Sequence, residues 1–153
     1  MVNLHGTGIV LGGHGLMLRG RSGSGKSLLA LQLLDIWRDR GEAAFLVADD
    51  RIEITVENGR LVMSAPPNIA GLIELRGRGI VGRPSVARAP LDLVVDMTGE
   101  LVRFLEDEDL ETELEGARLA RCPVPERSVV DSAHQVLLVS EAVAQLPPPR
   151  TAA

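Results

Sequence analysis

The sequence predicts an α/β domain that is rich in strands, with a mixed sheet and few helices. Short apolar runs separated by Gly, Pro or Asn-Gly turns recur along the chain, whereas only two segments carry apolar residues at helical spacing. Strands and helices do not alternate regularly, which argues against a doubly wound sheet. We expect residues 1–146 to form a single domain and residues 147–153 to form a disordered, Pro-rich tail.

The first predicted elements flank a glycine-rich loop. Thr7 to Leu11 and Leu16 to Arg19 are apolar runs separated by three glycines and a histidine, which predicts a hairpin. The second run leads into the loop at residues 20–27. A helix is predicted from Leu28 to Trp37, because apolar residues recur there at helical spacing and Gly41 follows as a stop signal.

The middle of the chain predicts further strands. The continuous apolar run Ala43 to Ala48 is typical of a strand buried on both faces, and it ends at Asp49-Asp50. Apolar residues then alternate with polar ones from Ile52 to Val56. Asn58-Gly59 and the run Arg60 to Met63 follow, and this combination is a strong hairpin signal.

The second half of the chain predicts fewer elements. The apolar run Leu91 to Val95 indicates another buried strand. Apolar residues at helical spacing predict a C-terminal helix within residues 128–145, with Ser128 as its N-cap. Residues 106–115 hold seven of the 21 acidic residues and no basic one. We interpret this run as an exposed face or loop, with a docking or self-association patch for a basic surface as the alternative.

Composition excludes several classes of function. With no Tyr, one Trp and two Phe, the chain lacks the aromatic side chains that stack on nucleic-acid bases. The single cysteine, Cys122, has no partner for an internal disulfide, and no Cys/His cluster has metal-ligand spacing. No apolar run approaches the ~20 residues of a membrane span, and no secretory leader is recognisable. We therefore expect a cytoplasmic protein that binds neither nucleic acid nor membranes.

The only lysine of the chain lies in a phosphate-binding loop motif. The pattern Gly-x4-Gly-Lys-[Ser/Thr] is matched by Gly20, Arg21, Ser22, Gly23, Ser24, Gly25, Lys26 and Ser27. In such loops backbone N–H groups and the helix N-terminus hold phosphates, the lysine contacts the β- and γ-phosphates, and the hydroxyl binds Mg²⁺. A flexible Gly/Ser turn is the alternative, but a turn requires neither Lys26 nor Ser27.

Other polar residues could complete a phosphoryl-transfer site. Asp49 and Asp50, at the end of a predicted strand, offer a metal-associated carboxylate and a base, although aspartate is also common where a strand enters a turn. Glu74 lies in a Gly/Arg-rich segment that is equally consistent with a surface loop. The candidate phosphate clamps are Arg103, Arg121 and Arg127.

Four segments in the same order resemble the catalytic domain of HPr kinase/phosphorylase. They are His5-Gly6, residues 20–27, Val47-Ala48-Asp49-Asp50-Arg51, and Glu74-Leu75-Arg76-Gly77-Arg78-Gly79-Ile80. The resemblance extends from His5 to about Arg127. It implies a strand-rich phosphate-loop fold like the phosphoenolpyruvate carboxykinase core. It also implies an ATP- and Mg²⁺-dependent serine kinase, a homo-oligomer, whose substrate is an HPr-like phosphocarrier of the bacterial phosphotransferase system.

The resemblance also implies roles for individual residues. Asp50 corresponds to the family's proton acceptor, His5 and Lys26 to its catalytic histidine and lysine, and Arg103 to its catalytic arginine. Ser27 and Glu74 correspond to the Mg²⁺ ligands. Two alternatives remain open: a non-catalytic nucleotide-binding regulator, and a small-molecule kinase with the same loop.

The chain departs from the family pattern at several positions. Leu28 and Gly82 stand where the family usually has acidic residues, and the glycine-rich loop after the latter is shortened. His5 falls at the start of the chain, so we expect a short form without the family's N-terminal domain. Glu126 replaces a glycine in the segment linked to phosphorolysis. Because its carboxylate would repel phosphate, we expect weak or absent phosphorolysis.

Overall fold

The computed structural model describes residues 1–149, which form strands, two α-helices and one short 3₁₀ helix. The strands are β1 (Val2–His5), β2 (Thr7–Leu11), β3 (His14–Arg19), β4 (Ala44–Ala48), β5 (Arg51–Glu57), β6 (Arg60–Ser64), β7 (Leu72–Leu75), β8 (Gly79–Gly82), β9 (Arg88–Pro90), β10 (Leu93–Thr98), β11 (Glu111–Leu114) and β12 (Ala117–Pro125). The helices are α1 (Lys26–Asp39), the 3₁₀ helix η1 (Asp107–Leu110) and α2 (Ser132–Ala144).

The largest sheet is mixed, as the sequence predicts. Its six strands follow the order β11-β12-β10-β3-β2-β4. β10 is parallel to both β12 and β3, whereas β2 pairs antiparallel with β3 and with β4, and β11 pairs antiparallel with β12. A second sheet has the order β1-β5-β6-β9, and β7 and β8 form a separate hairpin.

The large sheet is the middle of three layers, with the helices on one face and the second sheet on the other. Successive residues of its strands point to opposite faces, so each strand contributes to both cores. On β3, Leu16 and Leu18 join the core that includes α1 and α2, whereas Met17 joins the core that includes β5 and β6. On β10, Val95 and Val94 divide in the same way. Both faces of the sheet are therefore covered, which explains the continuous apolar runs in its strands.

Most predicted elements are confirmed, with shifted ends. The hairpins β2–β3 and β5–β6 and the buried strand β4 form as expected. Helix α1 begins at Lys26, two residues before the predicted start. The predicted N-cap of the C-terminal helix is wrong: α2 begins at Ser132, and the Asp131 carboxylate accepts a hydrogen bond from the His134 backbone N–H. Residues 127–130 form a turn instead, in which Glu126 O accepts two backbone N–H bonds.

The acidic run is more ordered than a loop. It contains η1 and β11, and β11 pairs with β12 from Glu111 opposite Ala120 to Leu114 opposite Ala117. Its acidic side chains are exposed, with the partial exception of Asp109. The expected exposure is thus confirmed, but β11 and its partner β12 were not predicted.

The strand directions place several chain segments at one edge of the large sheet. Because β3, β4, β10 and β12 all run the same way, their carboxyl ends lie together at this edge. At the opposite end, the Pro147 carbonyl accepts a hydrogen bond from His14 Nε2 at 2.7 Å. The rest of the expected tail, residues 150–153, lies outside the described residues. Within the described part of the chain, neither helix has the length and apolar character needed to cross a membrane.

Candidate active site

The phosphate-binding loop connects the carboxyl end of β3 to α1. Gly23 and Gly25 have φ values of 81° and 97°, which side chains other than glycine rarely adopt. Lys26 Nζ donates hydrogen bonds to the carbonyl oxygens of Gly20 and Arg21, both at 3.0 Å. Burial lowers the pKa of Lys26, while the charges of Asp50, Asp49 and Glu126 act in the opposite direction. The lysine side chain thus folds back on its own loop, and two loop carbonyls hold its ammonium group.

Asp49 connects the loop to three other elements. Its Oδ1 accepts hydrogen bonds from the hydroxyls of Ser27 at 2.7 Å and Thr7 at 2.9 Å, and its Oδ2 accepts one from the backbone N–H of Glu74 at 3.2 Å. The carboxylate therefore holds α1, β2 and β7 in fixed positions around the loop. Thr7, fully buried, is a member of the site that sequence reasoning missed. Nothing in the sequence near it marks the residue, since its role depends on strand order.

Asp50 faces a different partner from its neighbour. His5 Nε2 lies 2.9 Å from Asp50 Oδ1, and the backbone N–H of Gly6 donates to the Asp50 carbonyl at 3.0 Å. Asp50 has a φ of 70°, which is uncommon for residues other than glycine. A Cβ at Gly6 would lie 2.8 Å from the Leu18 carbonyl oxygen, so only glycine allows this approach. The His5-Gly6 pair thus places an imidazole on the Asp50 carboxylate.

One cleft of about 300 Å³ brings most of the predicted site residues together. Its lining includes His5, Lys26, Ser27, Asp50 and Glu74. Two further cations, Arg76 and Arg127, also line it. Glu74 lies on β7 rather than in a surface loop, so the hairpin β7–β8 forms one wall of the cleft.

The three arginines that the sequence suggested as phosphate clamps lie in different places. The Arg127 side chain lies over the loop, with its Cδ 3.7 Å from the position that a Cβ at Gly25 would take, and its guanidinium donates to Gln32 Oε1. Arg121 is part of an ion-pair network with Asp96 on β10. Arg103 is not among the residues that line the cleft, and its guanidinium lies 5.3 Å from the Phe104 ring centroid. Of the three, only Arg127 is placed to contact a ligand in this cleft.

Glu126 is not the free negative charge expected from the sequence. Its carboxylate accepts two hydrogen bonds from the Arg21 guanidinium, at 2.8 and 2.7 Å. The bond from Arg21 lowers the pKa of Glu126, and the same bond raises the pKa of Arg21. Glu126 is therefore not an unpaired negative charge at this site, because Arg21, a basic residue of the loop itself, neutralises its carboxylate. The expected weak phosphorolysis stays a prediction.

The donor atoms of the cleft suit a nucleotide and Mg²⁺. Mg²⁺ takes oxygen ligands and keeps several waters, so one or two protein oxygens beside phosphate oxygens are enough. Ser27 and Glu74, which line the cleft, supply such oxygens, and the Asp49 carboxylate accepts the hydrogen bond of the Ser27 hydroxyl. No group of three or more His, Cys, Asp or Glu side chains among residues 1–149 could hold a metal by itself.

Comparisons with known proteins agree on one family. The family model described as HPr serine kinase C-terminal domain matches residues 1–145. The HPr kinase/phosphorylase of Clostridium tetani is 41% identical over 83 residues, which are 54% of this chain and 25% of that protein. The HPr kinase/phosphorylase of a Geobacillus species is 46% identical over 79 residues, 51% of this chain and 24% of that protein. The matched region thus spans about a quarter of the length of these curated relatives.

A solved structure extends the likeness over nearly the whole fold. The Hpr(Ser) kinase/phosphatase from Coxiella burnetii superposes with a TM-score of 0.75 at 25% sequence identity, covering 94% of this chain and 89% of that one. The fold class expected from the resemblance is confirmed. Because the family model matches nearly every residue of the described fold, the chain belongs to the HPr serine kinase C-terminal domain family.

Proposed function

We propose that this protein is an ATP- and Mg²⁺-dependent protein serine kinase whose substrate is an HPr-like phosphocarrier of the bacterial phosphotransferase system. The observation that carries the proposal is the position of Asp50. Its exposed carboxylate lines the same cleft as the phosphate-binding loop, so a base and a phosphate cradle face one space. Relatives named HPr kinase/phosphorylase support the identity of the acceptor.

In the proposed reaction, the acceptor serine oxygen forms a bond to the γ-phosphorus of ATP, and the bond from that phosphorus to the β–γ bridging oxygen breaks. Asp50 takes the proton of the serine hydroxyl, and ADP is released. His5 holds the Asp50 carboxylate in position from the neighbouring strand. Positioning and charge stabilisation supply most of the catalysis in phosphoryl transfer, so a preformed cleft is the main requirement.

Lys26 and the oxygen donors bind the nucleotide. When phosphates enter, we propose that Lys26 Nζ exchanges its bonds to the Gly20 and Arg21 carbonyls for bonds to phosphate oxygens. Ser27 and Glu74 would hold Mg²⁺, with Asp49 orienting the Ser27 hydroxyl. The ion would neutralise charge on the β- and γ-phosphates. Arg127 lies beside the loop and is the arginine that we place on the transferred phosphoryl group in this conformation. The catalytic role of Arg103 stays a prediction from the resemblance.

Phosphorylation of a carrier protein tests this proposal. The protein is incubated with γ-labelled ATP, Mg²⁺ and purified HPr-like phosphocarriers, and acid-stable label distinguishes phosphoserine from phosphohistidine. We expect transfer by the wild-type protein and a loss of at least about 100-fold in Lys26→Ala, with weaker ATP binding, because no other lysine is present. Arg118→Ala, which removes an exposed cation outside the cleft, is the control and should retain transfer.

Other results would contradict the proposal. ATP binding without transfer to any carrier would favour a nucleotide-binding regulator. Label that appears in a small molecule would favour a small-molecule kinase. Reverse phosphorolysis remains a separate prediction, and phosphate-dependent loss of label from the phosphorylated carrier measures it.

A further inference from the structure

A buried carboxylate is fixed directly behind the phosphate-binding loop. Glu126 follows β12, and its backbone N–H donates to the Thr98 carbonyl at 2.8 Å. Its own carbonyl accepts bonds from the N–H groups of Val129 at 2.9 Å and Val130 at 3.1 Å. The Glu126 side chain is 8% exposed. The position of this negative charge is therefore set by the sheet and by the turn that precedes α2.

The partner of this carboxylate belongs to the loop itself. Arg21 donates from Nε and from a terminal nitrogen to the two oxygens of Glu126, in the bidentate geometry that gives strong ion pairs. The Arg21 side chain is 72% exposed, so the pair joins a mostly exposed arginine to a buried carboxylate. The Arg21 carbonyl also accepts a bond from Lys26 Nζ. The pair thus fixes the segment that holds the lysine.

The charges around the loop explain why such a pair is needed. The carboxylates at or behind the cleft are those of Asp49, Asp50, Glu74 and Glu126, and the cations besides Arg21 are Lys26, Arg76 and Arg127. Without Arg21 the acidic groups outnumber the basic ones, at a site that has to accept a polyanion. The Mg²⁺ that arrives with the nucleotide could offset the charges of Asp49 and Glu74. Glu126 is paired with Arg21 instead.

We propose that Arg21 is a charge-compensating residue of the phosphate-binding loop, which neutralises Glu126 so that a nucleoside triphosphate can bind. This inference rests on the proposed function, because it requires ATP as the ligand. Neither side chain takes part in the transfer step.

Charge compensation and simple mechanical support make opposite predictions for single neutralisations. Arg21→Gln leaves Glu126 unpaired near the phosphates, and we expect ATP to bind about tenfold more weakly, as one unit charge within roughly 10 Å would cause. Glu126→Gln leaves an unpaired cation, so ATP should bind at least as tightly as to the wild-type protein. The double variant should recover most of the affinity that Arg21→Gln loses. If the pair acted only as a mechanical support, all three variants would bind ATP more weakly.

The experiment measures ATP and ADP dissociation constants by calorimetry for the wild-type protein and these three variants, at low and high salt. The loss in Arg21→Gln should be larger for ATP than for ADP and should shrink as salt increases, since screening weakens charge repulsion. Arg118→Gln, with its guanidinium 3.9 Å from Glu111, is the matched control. Thermal unfolding verifies that each variant folds. If Arg21→Gln does not fold, the change in ATP affinity of Glu126→Gln alone distinguishes charge compensation from mechanical support, since only the latter predicts weaker binding.

Two results would overturn the inference. One is weaker ATP binding by Glu126→Gln, and the other is unchanged binding by a folded Arg21→Gln. Failure of the wild-type protein to bind ATP would overturn the proposed function as well, which distinguishes the two failures.

Discussion

Asp49 and Asp50 are adjacent in the chain but face different partners. Asp49 accepts three hydrogen bonds, from Ser27, Thr7 and the Glu74 backbone, whereas the Asp50 side chain is exposed and pairs with His5. Under the proposed function, these environments suit Asp49 to nucleotide binding and Asp50 to proton transfer.

This division predicts different kinetic effects. Asp50→Asn should reduce carrier phosphorylation by about 10²- to 10⁴-fold, the usual range for a lost general base, and leave ATP affinity within a few-fold. Asp49→Asn should weaken Mg²⁺-dependent ATP binding, because the Ser27 hydroxyl loses its charged acceptor and an NH₂ group replaces one of the two carboxylate oxygens that accept from Ser27 and from the Glu74 backbone N–H. Single-turnover transfer rates and ATP dissociation constants separate the two effects. Asp35→Asn is the control, because Asp35 lies on α1 and forms an ion pair with Arg83 outside the cleft. A silent Asp50→Asn together with slow transfer by Asp49→Asn would mean that the roles are exchanged.

At this same scale, the sequence predicts residues in short motifs better than isolated ones. The loop residues and the two aspartates are recognisable because their neighbours determine the local backbone. Arg127 and Arg103 are single arginines among fifteen, and their distance from the loop depends on how β10 and β12 pair. The partner of Glu126 lies 105 residues earlier in the chain, so nothing local in the sequence indicates that its charge is neutralised.

At the scale of elements, the start of α2 shows how two plausible signals compete. Ser128 and Asp131 are both residues that commonly cap helices, and the apolar pattern extends to both. The structure selects Asp131 because Glu126 O binds the backbone N–H groups of Val129 and Val130, which forms a turn before the helix.

The acidic edge strand β11 also carried a signal in the sequence. The alternation Glu111, Thr112, Glu113, Leu114 is typical of a strand. The high charge of the run concealed it, because only one face of this edge strand is covered.

The cap predicts a difference between two conservative variants. Asp131→Ala removes the acceptor for the His134 N–H and should lower the free energy of unfolding by about 1 kcal/mol. Ser128→Ala removes no cap and should change stability by less than about 0.5 kcal/mol. Urea unfolding midpoints of the two variants provide the measurement. Equal losses in both would mean that the helix begins earlier in solution than it does in this structure.

At the scale of the whole molecule, one carboxylate ties together the far half of the large sheet. Asp96 on β10 accepts hydrogen bonds from Arg19 on β3 and Arg121 on β12. Arg19 also donates to Thr112 on β11, and Arg121 to the carbonyl of Asp109 in η1. Five elements thus share one network behind the phosphate-binding loop, and it anchors the acidic edge strand that apolar packing covers on one side only.

This network predicts a specific pH dependence of stability. Burial raises the pKa of Asp96, but the hydrogen bonds and charges of Arg19 and Arg121 outweigh it, and the net effect is a pKa below the usual range. A group whose pKa is lowered by folding contributes stability that is fully present above its unfolded value of about 4 and is lost as the pH falls through the lower folded value. Asp96→Asn should therefore be less stable than the wild-type protein by about 2 kcal/mol at neutral pH, because both guanidinium groups lose a charged acceptor.

The difference between the two proteins should then shrink below pH 4, since a protonated Asp96 resembles asparagine. Urea unfolding of both proteins at pH 7, 5, 4 and 3 measures it, and the subtraction cancels the titration of the other acidic residues. Asp35→Asn serves again as the control, since its partly exposed ion pairs should contribute less than about 1 kcal/mol at any of these pH values. A difference that stays constant down to pH 3 would show that Asp96 acts through its shape and hydrogen bonding rather than through its charge.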